Sequence, residues 1–186
     1  MKSLIDFIEW KSTNRGVTFF VTKQFDSLWQ NMVEFSLNKY LIIDDGSCHF
    51  DFENQTSNNF DREVRHKIQN ESIKTSRNFS VRYDHLLIQQ EKVFLFDSKY
   101  YSEGIIDLDY KQLSYHFILK DWLYREKGLH SVSIHNGLIL PTDGNNYEKI
   151  HLNTSFDSHH PIFRDILIKE YYLNTKEVIR RYISNR

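Results

Sequence analysis

Tyr83-Asp84-His85-Leu86-Leu87-Ile88-Gln89-Gln90-Glu91-Lys92-Val93-Phe94-Leu95-Phe96-Asp97-Ser98-Lys99 is the stretch that decides the fold. Two runs rich in Val, Leu, Ile, Phe and Tyr, Ser80–Gln89 and Lys92–Tyr100, flank the polar pair Gln90-Glu91, which reads as a β-hairpin. Gln-Glu lacks the Gly or Asn that a tight turn of this kind prefers. A two- or four-residue loop centred there pairs Asp84 with Asp97, with Cβ atoms about 4.5–5.5 Å apart. Lys99, two residues beyond Asp97, projects from the same face. A three-residue loop would shift that register. Two opposed carboxylates repel unless something positive sits between them, and a divalent cation is one such filler. Mg²⁺ takes oxygen ligands and is often held by one or two carboxylates, water and a phosphate. The plainer alternative is a salt-bridge ladder of Asp, Lys and Asp at a sheet edge.

Working outward, Asp26–Leu41 has Leu28, Trp29, Met32, Val33, Leu37, Tyr40 and Leu41 at helical spacing, with Asp26 as a candidate N-cap. A second helix is expected over Asp109–Glu126, opened by Asp109 and Gln112 as a capping box and closed by Gly128. Strands are expected at Ser131–Leu140, Tyr147–Phe156 and Phe163–Leu173. A last helix begins at Asn174, with Glu177 three residues on, and runs to about Ile183. The segment Ile43–Asn70 is polar and gives no clear periodicity. The order helix, strands, helix, strands, helix predicts an α/β (α+β) chain around one mixed sheet flanked by helices.

The length, 186 residues, suits a single domain over 1–186. Lys plus Arg is 24 and Asp plus Glu is 25, so a uniformly basic coat for nucleic acid is excluded and a local basic face is not. Such a face has a candidate in Arg62, Arg65, Lys67, Lys74, Arg77 and Arg82, which directly follow the acidic stretch Asp44–Asp61. These six are the candidate DNA-binding residues, suited to sequence-independent phosphate contacts. One cysteine, Cys48, excludes an intramolecular disulfide and a cysteine-based zinc cluster. No apolar run is long enough to span a bilayer and no signal peptide is evident, so the expected location is the cytoplasm, with no membrane partner. There is no P-loop, no His-Glu-x-x-His and no Gly-x-Ser-x-Gly. On the second helix Gln112 and Tyr115 are three apart and share a face. Gln112 is read as a polar group at the rim of the site, and Tyr115 as core.

Asp84 before an apolar strand, then Asp97-Ser98-Lys99 after the next, resembles the PD-(D/E)XK nuclease motif, with Tyr83 where the motif's Pro stands. Asp97-Ser98-Lys99-Tyr100-Tyr101, followed by Asp107-Leu108 and Lys111-Gln112-Leu113-Ser114-Tyr115, resembles the LlaJI-type restriction endonucleases, which are related to McrC-type nuclease subunits. In this chain one extra residue stands between the Asp-hydrophobic pair and Lys111. Gly137-Leu138-Ile139-Leu140-Pro141 and Leu173-Asn174-x-x-Glu177-Val178-x-x-x-Tyr182 have the look of that family's end. The resemblance runs from about Phe25 to the C-terminus.

It implies a restriction-endonuclease-like core and an Mg²⁺-dependent DNA endonuclease of a restriction system, Mn²⁺ substituting. Asp84 and Asp97 would hold the metal and Lys99 would serve the attacking water. A carboxylate from the first helix would join them: Glu34 in one alignment, with Gln30 in the other, and only Glu34 can supply charge. Gln112 would orient the reacting groups. The implied substrate is double-stranded DNA. Specificity would come from Ile43–Asn70, from a second copy of the chain, or from a partner such as a GTP-driven AAA+ translocase or a DNA-binding subunit. The alternatives are a nuclease fold kept for DNA binding or assembly, and a RecB-like repair or CRISPR-associated nuclease.

Overall fold

The computed structural model describes residues 25–45, 47–68, 79–100, 108–154 and 166–185. Its elements run α1 (Phe25–Tyr40), β1 (Leu41–Asp44), β2 (Ser47–Phe50), β3 (Asp61–Ile68), β4 (Phe79–Gln89), β5 (Lys92–Ser98), α2 (Leu108–Lys127), β6 (Ser133–Thr142), β7 (Tyr147–Asn153), β8 (Leu167–Asn174) and α3 (Thr175–Ser184). β1 and β2 form a small hairpin. The other six strands form one mixed sheet in the order β3-β4-β5-β6-β8-β7. The chain is therefore α/β, as its pattern of elements predicts.

β5 lies inside the sheet because it has no polar face to show water. Val93 to Ser98 are all buried, as suits a strand covered on both sides. β4 meets β5 antiparallel and β6 meets β5 parallel. The parallel step needs a crossover, and α2 supplies it. Alternation along β5 splits the core into two layers. Phe94 and Phe96 pack with Trp29, Met32, Val33 and Leu37 of α1. Val93 and Leu95 pack with Leu119 and Leu123 of α2.

Two turns show local chemistry at work. Gln89 pairs with Lys92, so the loop is the two-residue Gln90-Glu91 turn, and Gln90 takes the left-handed φ of 54° that a glycine would accept without strain. At the start of α3 the Asn174 side chain accepts from Glu177 N at 2.9 Å, the expected N-cap. Asp109 lies inside the first turn of α2, which starts at Leu108, rather than capping it. Gly137 of β6 has to be a glycine: a Cβ there would stand 2.8 Å from both Phe96 and Tyr171, whose rings meet edge to face. Among the described residues no helix is long and apolar enough to cross a membrane.

Candidate active site

The site forms where the β4–β5 ladder stops. The last paired residues are His85 and Phe96, and the pairing extrapolates to Asp84 opposite Asp97. On its other side Asp84 also lacks a ladder partner, since the β3–β4 pairing steps from Arg62–His85 to Val64–Tyr83 across Glu63, whose φ is 50°. The strand turns over at this point: Val81, Tyr83 and Leu86 all belong to the α2-side core, which strict alternation would forbid. With no β4 carbonyl available to it, Ser98 N donates instead to the Asp84 carboxylate (3.3 Å). Lys99 N donates to Ile139 O at 3.0 Å, carrying β5's hold on β6 past the end of the strand and fixing the lysine.

Four charged side chains converge on the α2 side. Lys99 Nζ lies 2.6 Å from Asp97 Oδ2 and 3.5 Å from Asp84 Oδ2. Lys111 Nζ, from the first turn of α2, donates to Asp97 Oδ1 at 2.8 Å. Asp97 is 1 % exposed, while the lysines reach the surface, the Lys111 side chain being 33 % exposed. Burial works to raise the Asp97 pKa, but Lys99 and Lys111 outweigh it and the net shift is downward. Asp84 goes the other way. Its burial and the neighbouring Asp97 charge push it up to about 6, against the pull of Lys99. The pair therefore has one carboxylate firmly ionised and one poised to take a proton near neutrality.

On the opposite face His85 Nε2 lies 3.2 Å from Ser98 Oγ. Burial depresses His85 to about 3, so its ring stays neutral and sits within the core.

The remaining expected residues fall elsewhere. Glu34 sits on α1, the helix packed against the other face of the sheet, and pairs with Arg62 (3.4 Å). Arg62 also donates to Asn31. Among the described residues no group of three or more His, Cys, Asp or Glu side chains is arranged to hold a metal, so Glu34 is not gathered with Asp84 and Asp97. Gln30 is half-buried on the same helix. Gln112 is fully buried rather than at a rim, and both its side-chain polar atoms lack a hydrogen-bond partner. Its backbone carbonyl accepts from Asn136 Nδ2 at 3.2 Å.

Of the basic residues, Arg65 of β3 lies directly opposite Arg82 of β4, and both are exposed. Arg82 has Glu63 at 4.0 Å. Lys67 is on β3, opposite Ser80. Lys74 and Arg77 lie outside the described residues.

Lys111 is the residue that the sequence reading passed over in favour of its neighbour Gln112. The signal was there: Lys111 and Tyr115 are four apart on one helix face, and the ammonium stands 5.0 Å from the centre of the Tyr115 ring. Tyr115 in turn meets Tyr83 edge to face.

The chain matches no protein-family model, and no curated protein matches it.

The two carboxylates fit a divalent cation in one respect. Oxygens of both already lie within 3.5 Å of a single ammonium, so one positive centre can serve both. Two carboxylates suffice for Mg²⁺, which keeps much of its water and borrows ligands from a phosphate. They are too few for a closed, all-protein cage.

Proposed function

We propose that this chain is a divalent-metal-dependent DNA endonuclease of a restriction system. The observation that carries the reading is the convergence of Asp84, Asp97 and Lys99 at the open end of the β4–β5 hairpin. The resemblance of Asp97-Ser98-Lys99-Tyr100-Tyr101 and Lys111-Gln112-x-x-Tyr115 to LlaJI-type endonucleases supports DNA as the substrate and the cytoplasm as the location. Asp84 and Asp97 would hold Mg²⁺, with Mn²⁺ as a substitute. The ion would supply Lewis-acid stabilisation of the phosphate and a more acidic water. Lys99 brings a positive charge to the same spot, where it can orient the attacking water and stabilise negative charge developing on the phosphate. Exposed Arg65 and Arg82 suit backbone phosphates, which fix position without reading sequence. Sequence preference would then depend on a second copy or on another subunit, a GTP-driven translocase being the kind the resemblance favours.

One observation favours the rival reading, a nuclease fold kept for DNA binding or assembly: Asp97 is already matched by two ammoniums, and among the described residues no third carboxylate joins the pair. Incubating the purified chain with supercoiled plasmid separates the two. The endonuclease reading expects nicked and linear products with Mg²⁺, none in excess EDTA, and a loss on the order of 10²–10³-fold in Lys99→Ala. Intact plasmid with folded wild-type protein and Mg²⁺ would reject it and leave the non-catalytic reading. Discrete fragments from the chain alone, with no nucleotide, would show that it reads sequence without a partner.

A further inference from the structure

The proposed reading leaves open how many ions the site takes, and Lys111 bears on that number. Two-metal phosphodiester sites hold their ions about 3.5–4 Å apart, bridged by shared carboxylate oxygens. Among the described residues the carboxylate placed to bridge is Asp97. Its Oδ2 faces Lys99 and Asp84, the place of a first ion. Its Oδ1 faces Lys111, with the ammonium at 2.8 Å.

The lysine is held at that point by more than its carboxylate. Its side chain passes the Tyr115 ring, which is braced by Tyr83, and its backbone lies in the first turn of α2.

Charge balance points the same way. Two carboxylates already meet two ammoniums. One divalent ion makes the site doubly positive. A second would add as much again to a buried position where, among the described residues, no third His, Cys, Asp or Glu is grouped with these two carboxylates to hold it.

We propose that the Lys111 ammonium stands in for a second metal ion at Asp97 Oδ1, so that the site takes one divalent cation per chain. The proposal rests on the metal-dependent reading above and adds a count to it. Lys111 is thus a positioning residue that keeps Asp97 Oδ1 out of metal coordination and directs Oδ2 to the single ion.

Equilibrium dialysis of the full chain against Mn²⁺ alone tests this without reference to activity. Wild type is expected to bind about one ion, and the neutral variant Lys111→Met about two, the second more weakly. Lys111→Arg, which keeps the charge, should stay at about one. Lys111→Gln is measured alongside, so that a folding defect in one neutral variant, seen in its thermal melt, leaves the other to decide. Two ions on wild type, or one ion on both wild type and a folded neutral variant, overturns the role of Lys111 while leaving the metal site standing. No Mn²⁺ bound by wild type in the millimolar range removes the parent reading and this inference together.

Discussion

Asp97 and Glu170 lie in one row across the sheet, separated by Leu138: Asp97 pairs with Leu138 on β6, and Leu138 pairs with Glu170 on β8. Both are carboxylates buried on the same face, yet their surroundings differ. Glu170 Oε1 meets His151 Nδ1 at 2.6 Å, and its Oε2 accepts from the Tyr172 hydroxyl (2.5 Å) and from Lys149 (2.9 Å). Burial pushes its pKa up, the three donors pull it further down, and it remains an ionised carboxylate with both oxygens partnered. Asp97 takes a hydrogen bond from Lys111 on Oδ1, its buried Oδ2 has Lys99 in ion-pair range and no hydrogen bond, and beside it stands a second carboxylate whose pKa has been pushed up to about 6. A lone buried acid with matched donors is a structural device. Two buried acids sharing one ammonium are a site where a stronger positive charge is welcome.

The largest effect expected from breaking this contrast is at Asp97. Asp97→Asn leaves Lys99 and Lys111 facing a neutral amide, and about 3 kcal/mol of stability should be lost, as when one partner of a buried ion pair is removed. Urea unfolding gives the loss, and Mn²⁺ dialysis of the same sample should show no bound ion. The Asp84 shift gives the next effect. Its folded-state pKa is above the ordinary carboxylate value, so its contribution to stability is full in acid, below that ordinary value, and fades as pH rises through about 6. Metal binding runs opposite, because the ion competes with that proton. Mg²⁺ affinity measured by calorimetry should climb between about pH 5 and 7, by roughly tenfold per unit below the pKa, and then level off. A flat profile would separate Asp84 from the metal. Glu170→Gln should cost less, about 1–3 kcal/mol from weakened buried hydrogen bonds, with Mn²⁺ binding unchanged. Loss of metal binding in this variant would erase the distinction between the two acids. The smallest effect is remote from both. Gln90→Gly relieves a left-handed φ at the hairpin turn, and the gain in thermal unfolding should be about 0.5–1 kcal/mol with the same metal affinity.

The hairpin that carries Asp84 and Asp97 was legible because its apolar runs are long and a two-residue turn fixes the register. The same holds for α1, with its stripe of Trp29, Met32, Val33 and Leu37, and for the Asn174 cap of α3. β3 was not legible: Asp61-Arg62-Glu63-Val64-Arg65-His66-Lys67-Ile68 is charged at most positions, as suits an edge strand that meets a neighbour on only one side. β2, Ser-Cys-His-Phe, is too short to show a period. The site's need for positive charge was legible, because two facing acids repel, and Lys99 and Lys111 both stand against Asp97. Lys111 could not be placed from the hairpin alone, because the crossover through α2 decides which side chain of the helix returns over Asp97. That Glu34 lies apart from Asp84 and Asp97 among the described residues has a related reason. Helical spacing fixes which residues share a stripe, but which face of the sheet the helix covers is a tertiary choice.

Crystals of the chain soaked in Mn²⁺ and measured at the manganese absorption edge decide whether the two acids hold a metal. One anomalous peak per chain is expected in contact with both Asp84 and Asp97, with the Lys99 ammonium moved from between them and Lys111 still on Asp97 Oδ1. Fully occupied crystals with no peak at these carboxylates, and Lys99 still bridging them, would contradict a metal held there.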